Sequence, residues 1–216
     1  MYPFNIFRVK DMEIGKNATI KDNRITSYFN YIFHLSANSS TQATNKLTFG
    51  DGLIIENNYK NEGTSGYIID ADDFGQVTFG DDTKIRNNTL EMLRFDGTNK
   101  LEFGDNFEYV NNIGSGYNPA IYQQGNSSND SYFILGDNAN LSGNKSLEYI
   151  FQVRGVKNFT IGDNLNISDN ITREQLIYAS GSGTFEIGDD ANISDNIITN
   201  YSELMSLNSF NKVNIR

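Results

Sequence analysis

Apolar and polar side chains alternate along this chain in short runs, and the runs return in a fixed order. Leu47 and Phe49 flank Thr48; after Gly50-Asp51, Leu53 and Ile55 take up the alternation again. Successive side chains of an extended backbone leave opposite faces, so period two in short runs predicts half-buried strands rather than helices. Each run pair closes on Asn and is followed by a third alternating run, such as Tyr67-Ile-Ile-Asp70, Met92-Leu-Arg-Phe95, Tyr149-Ile-Phe-Gln-Val153 or Leu176-Ile-Tyr178.

The paired runs form a twelve-residue phrase with seven copies, starting at Met12, Leu47, Val77, Leu101, Phe133, Phe159 and Phe185. Its glycines are Gly15, Gly50, Gly80, Gly104, Gly136, Gly162 and Gly188, at intervals of 35, 30, 24, 32, 26 and 26 residues. A fixed phrase at variable spacing means that one part of each unit is held while another accepts insertions. Such units cannot bury an apolar face alone and must stack. The predicted fold is all-β, a three-sided parallel β-helix of about seven coils, right-handed, with strands about 4.8 Å from their counterparts one coil away. A β-propeller is the rival, but its blades need about 40 residues of antiparallel strands. The predicted organisation is one domain over 1–216, with a partial coil in the first 11 residues and insertions near 24–46, 59–66 and 113–132.

Stacking turns equivalent positions into ladders. Phe49, Phe79, Phe103, Leu135, Ile161 and Ile187 should form one inner column, and Ile20, Ile55, Ile85, Tyr109, Leu141, Ile167 and Ile193 another. The glycine is expected to supply positive φ at the corner. The closing Asn23, Asn58, Asn88, Asn112, Asn144, Asn170 and Asn196 are expected to take the left-handed region and bond a neighbouring amide.

The Phe/Ile-Gly-Asp-Asn phrase, with Ile-x-x-Asn closing each unit, resembles the β-helical passenger repeats of bacterial surface adhesins. The polymorphic outer-membrane autotransporters and pectin-lyase-like repeat proteins are nearest in style. That resemblance implies adhesion and surface display, hence an extracellular location, and no catalysis.

Composition narrows the chemistry. Net charge is -10, which disfavours phosphate backbones and anionic membrane surfaces, so neither nucleic acid nor a membrane is an expected partner. Cys is absent and His34 is the single histidine, which removes thiolate sites and makes a serine triad improbable. No apolar run reaches membrane-spanning length. No cofactor is implied except calcium: Asp51, Asp81, Asp105, Asp137, Asp163 and Asp189, each following a glycine, would form a column of like charges. Such a column either caps backbone amides or gathers calcium.

Tyr117, Tyr122 and Tyr132, among amides and hydroxyls in the longest insertion, suit contact with sugars or proteins of a host or neighbouring cell. Asp169 and Asp195, and the group Asp70, Asp72 and Asp73, are the carboxylates open to a β-helix carbohydrate hydrolase or lyase. The first pair belongs to the repeat, which favours a folding role. Asn140/Ser142, Asn166/Ser168 and Asn192/Ser194 make a flat polar array of the kind that could order ice. At the ends, Phe4–Val9 resembles a third strand, while Val213 and Ile215 match the places of Phe185 and Ile187 in a new coil. Open edges invite further pairing. The expected function is therefore a non-enzymatic structural or adhesive solenoid of a bacterial surface, whose ends either stack on further copies into a filament or belong to a slice of a longer solenoid.

Overall fold

The computed structural model describes residues 4–26, 31–60, 66–125 and 130–216. The chain winds as a β-solenoid of about seven turns through three parallel sheets. Among the described residues the first sheet holds eight strands, Asp11–Ile14, the strand before each of the six Gly-Asp pairs, from Lys46–Phe49 to Thr184–Ile187, and Lys212–Ile215. The second holds seven strands, from Thr19–Lys21 and Ile54–Glu56 to Asn192–Ser194. The third holds eight, including Phe4–Val9, Tyr31–Ala37, Tyr67–Asp72, Met92–Asp96, Ile121–Gln124, Phe151–Val156, Ile177–Gly181 and Met205–Asn208. Strand order in each sheet follows chain order, so every coil rests on its predecessor.

Both predicted inner columns form in register. Phe79 lies between Phe49 and Phe103, Leu135 continues the column, and Ile161 and Ile187 follow. The Phe49 and Phe79 rings stack at 4.5 Å and 8°, and Phe79 and Phe103 at 4.7 Å and 12°. Ile20, Ile55, Ile85 and Tyr109 make the opposing column, with Leu141, Ile167 and Ile193 above. These side chains are buried except at the outermost coils, where Ile20 and Ile193 are only partly covered. Phe4–Val9 joins the third sheet against Tyr31–Ala37, and Val213 and Ile215 sit opposite Phe185 and Ile187.

Two corner expectations are overturned. The corner glycines do not take positive φ; that conformation falls two residues later, at Asn17, Gly52, Asp82, Asn106, Asn138, Asn164 and Asp190, with φ between 58° and 70°. The glycine is needed for space instead. A Cβ on Gly80 would stand 2.3 Å from Asp51 Oδ1 and 2.5 Å from the Asp51 nitrogen. Likewise the closing asparagines are not left-handed. The residue before each one is: Asp22, Asn57, Asn87, Asn111, Gly143, Asp169 and Asp195, φ 54° to 67°. Asp and Asn tolerate that region better than most residues, because their short polar side chains bond locally. Asp169 and Asp195 are thus turn residues of the repeat.

The windows 24–46 and 113–132 hold regular third-sheet strands, Tyr31–Ala37 and Ile121–Gln124, besides a 3-10 turn at Ser39–Thr44. The strand at 121–124 is hidden in the sequence because it points a glutamine inward. Gln123 is fully buried and donates to the carbonyls of Thr98 (2.9 Å) and Tyr132 (3.1 Å). Residues 27–30, 61–65 and 126–129 of the three windows lie outside the described residues.

Candidate functional site

The Asp column is a capping device. The backbone N–H of Asp105 donates to Asp81 Oδ1, that of Asp137 to Asp105 Oδ1 and that of Asp163 to Asp137 Oδ1, each at 2.9 Å; Asp189 repeats the bond to Asp163 at 2.8 Å. At the foot of the column Lys16 Nζ lies 2.6 Å from Asp51 Oδ2, and this hydrogen bond holds the Asp51 carboxyl below its ordinary range. One oxygen of Asp81, Asp105, Asp137 and Asp163 is thereby committed to the next coil. The Asn-Ser array is similarly self-bonded: Asn166 Nδ2 donates to Asn140 Oδ1 (2.9 Å) and Asn192 Nδ2 to Asn166 Oδ1 (2.7 Å).

Ionic chemistry gathers on the outer face of the third sheet. His34, Asp70 and Arg94 share one register position across three strands, and Ser36, Asp72 and Asp96 share the next. Arg94 Nη1 meets Asp70 Oδ1 at 2.7 Å and Asp72 Oδ1 at 2.6 Å, while Nη2 meets Asp96 Oδ2 at 2.6 Å. Burial pushes the Asp72 carboxyl up, since one guanidinium serves three carboxylates and Arg94 offsets only part of that cost. Burial also works against the Arg94 cation, but the hydrogen bond to Asp70 and the charges of Asp72 and Asp70 outweigh it and hold the proton more firmly. Beside this group opens a hollow of about 540 Å³ lined by Ser36, Gln42, Asp72, Asp73, Arg94, Asp96 and Gly97. His34, Asp70 and Asp72 each bring one ligand atom within 4.8 Å of the others. A cation there would compete with Arg94, which already bonds both carboxylates. Of the acidic cluster marked in the sequence, the structure thus joins Asp70 and Asp72 to Asp96 and Arg94, while Asp73 sits at the rim of the hollow in a positive-φ turn.

The three tyrosines of the long insertion do not form one patch. Tyr122 stands on the third sheet between Arg94 and Gln152. Tyr132 stands on the first sheet between Lys100 and Asn158, with Lys100 Nζ 5.9 Å from its ring centroid. Tyr117 is 69% exposed on the connection, 5.4 Å from the Arg173 guanidinium. Two rungs above Tyr122, Tyr178 packs under Arg154 at 5.2 Å and beside Tyr149 at 6.0 Å.

A buried polar centre escaped the sequence reading. Glu91 is fully buried; its Oε2 lies 3.1 Å from Lys60 Nζ, and its Oε1 accepts from Ser115 Oγ (2.7 Å) and Asn118 Nδ2 (3.0 Å). Tyr109 donates its hydroxyl to the Glu91 carbonyl, and burial, reinforced by the Glu91 charge, pushes the phenol well up. All of these except Tyr109 lie outside the repeated phrase. The available signal was one acid, Glu91, inside the apolar run Leu90–Leu93. No family model matches this chain, and neither a curated protein nor a solved structure matches it.

Proposed function

We propose that the chain is a non-enzymatic structural and adhesive element of a bacterial surface, extracellular, and that copies stack end to end into a filament. The supporting observation is the state of the outermost coils. Phe4, Phe7, Val213 and Ile215 are 40%, 52%, 49% and 54% exposed, on strands whose outer edges pair with nothing among the described residues. Unpaired, apolar parallel edges favour addition of another strand in the same register. The outward faces, the Tyr122 and Tyr178 surfaces among them, would supply many weak contacts to glycans or proteins. Electron microscopy of the purified chain tests the reading: filaments are expected, and dispersed single particles at high concentration would overturn the assembly.

A second reading, a carbohydrate-active enzyme, draws on the hollow beside Asp72 and Asp96. Turnover of an acidic polysaccharide that Asp72→Asn and Asp96→Asn abolish would establish it in place of the first.

A further inference from the structure

The buried centre around Glu91 joins three successive coils. Lys60 ends the short strand Tyr59–Lys60, Glu91 precedes Met92–Asp96 one coil on, and Asn118 precedes Ile121–Gln124 in the coil after that. The coils are tied beside this centre by Thr89 N to Asn58 O at 2.9 Å and Ile113 N to Asn88 O at 2.8 Å. The side chains of Lys60 and Glu91 are 6% and 0% exposed. An ammonium and a carboxylate so far from water cost more to desolvate than their attraction commonly returns. A shared polar site of this kind therefore invites a chemical reason. Amine and carboxamide here approach the two oxygens of one carboxylate, at 3.1 Å on Oε2 and 3.0 Å on Oε1.

We propose that Lys60 and Asn118 become joined by an intramolecular amide bond, with Glu91 as the catalytic residue that carries the protons. Nζ hands a proton to Oε2, 3.1 Å away, and is left as a free amine. Its lone pair attacks Cγ of Asn118. The Nζ–Cγ bond forms, the Cγ–Nδ2 bond breaks, and Nδ2 leaves as ammonia. Nζ gives up two protons over the reaction: one reaches Nδ2 through Oε1, and the other departs with ammonia as ammonium, returning Glu91 to its carboxylate. Nothing is oxidised or reduced, and no co-reactant is needed. Holding the three groups together in one site supplies the rate, because a reaction slow between free molecules becomes intramolecular. The Ser115 hydroxyl, 2.7 Å from Oε1, helps hold the carboxylate in place.

Intact mass measures the outcome directly. The folded wild-type chain should be lighter than its sequence mass by one ammonia, and protease digestion should yield one branched peptide containing both Lys60 and Asn118. Glu91→Gln and Asn118→Ala should each restore the full mass of the respective variant. Asn118→Asp should still cross-link, now with loss of one water, which separates the chemistry from any fault in folding. A wild-type chain at its full sequence mass would overturn the proposal. So would ammonia loss with Lys60 and Asn118 in separate peptides, or water loss joining Lys60 to Glu91.

Discussion

Asn112 illustrates what each closing asparagine does. Its backbone N–H donates to Asn144 Oδ1 (2.9 Å), its Nδ2 donates to the Ile85 carbonyl (3.0 Å), and its Oδ1 accepts from both the backbone N–H and Nδ2 of Asn88 (3.0 Å each). Five of these side chains are fully buried, so each must satisfy its neighbours as well as itself. Asn112→Ala strands two buried donors of Asn88 and should cost about 3 kcal/mol in denaturant unfolding. Asn23→Ala, at an exposed position that serves no earlier coil, should cost under about 1 kcal/mol. The corner glycines give a second contrast. A Cβ on Gly104 would sit 2.4 Å from Asp81 Oδ1 and 2.8 Å from backbone, whereas one on Gly15 meets nothing within 4 Å. Gly104→Ala should therefore destabilise by about 2 kcal/mol, and Gly15→Ala should stay within about 0.5 kcal/mol. Arg94 gives a pH-dependent case. Arg94→Met removes the cation that offsets the burial of Asp72, which lifts its folded pKa further above that of the unfolded chain. The folded state then holds more protons, so the stability deficit of about 1–3 kcal/mol at neutral pH should shrink as pH falls through the carboxylate range. A deficit that is equal at pH 7 and pH 4.5, about the carboxylate pKa, would count against that account.

At the scale of strands and ladders, the repeat tolerates exchange within a column better than removal from it. Phe103 stacks on Phe79 on one side and faces Leu135 on the other. Phe103→Leu, which copies the next rung, should cost about 1.5 kcal/mol or less, against about 3–5 kcal/mol for Phe103→Ala; thermal or urea melts of the two variants measure the difference. The same columns explain what could be read from the sequence. Wherever the twelve-residue phrase occurs, register follows residue by residue, down to Val213 opposite Phe185. Two kinds of feature were not legible. The first is the cause of a conserved shape: Gly80 and Asp82 stand two apart, and pattern alone does not say which needs positive φ and which needs room. The second is chemistry carried by unrepeated segments. Lys60, Glu91 and Asn118 meet although they follow the closing Asn58, Asn88 and Asn112 by two, three and six residues, so no fixed spacing marks them, and Arg94 reaches Asp70 and Asp72 across strands that have no shared phrase. The three tyrosines failed to converge for the converse reason, since neighbours in sequence are sent to different sheets.

For the whole molecule, the strand pairings all join neighbouring coils, so stability is close to a sum of local and nearest-neighbour parts and opening starts at the ends. The outer coils differ in charge. Lys16, Lys21 and Arg24 mark the first, while Asp189, Asp190, Asp195 and Glu203 mark the last. Head-to-tail contact therefore brings opposite signs together, and such a heterologous contact need not close into a ring. Continuing the first sheet places Val213 against Met12 of the next copy, and Lys212 against its Asp11. Among the described residues the second sheet has seven strands against eight in the first and third, so a junction of two such stacks would leave one open rung between Asn192–Ser194 and the next Thr19–Lys21. The eight described rungs span about 38 Å along the axis. Hydrogen exchange then separates a lone rod from a stacked one. Amides around Asn88 and Asn112 should exchange slowest at any concentration. Amides of Asp11–Ile14 and Lys212–Ile215 should exchange quickly in dilute protein, become protected as concentration rises, and lose that protection when salt approaches about 1 M and screens the contact. End amides whose exchange is indifferent to both concentration and salt would show that the charged, apolar edges do not join copies of this chain.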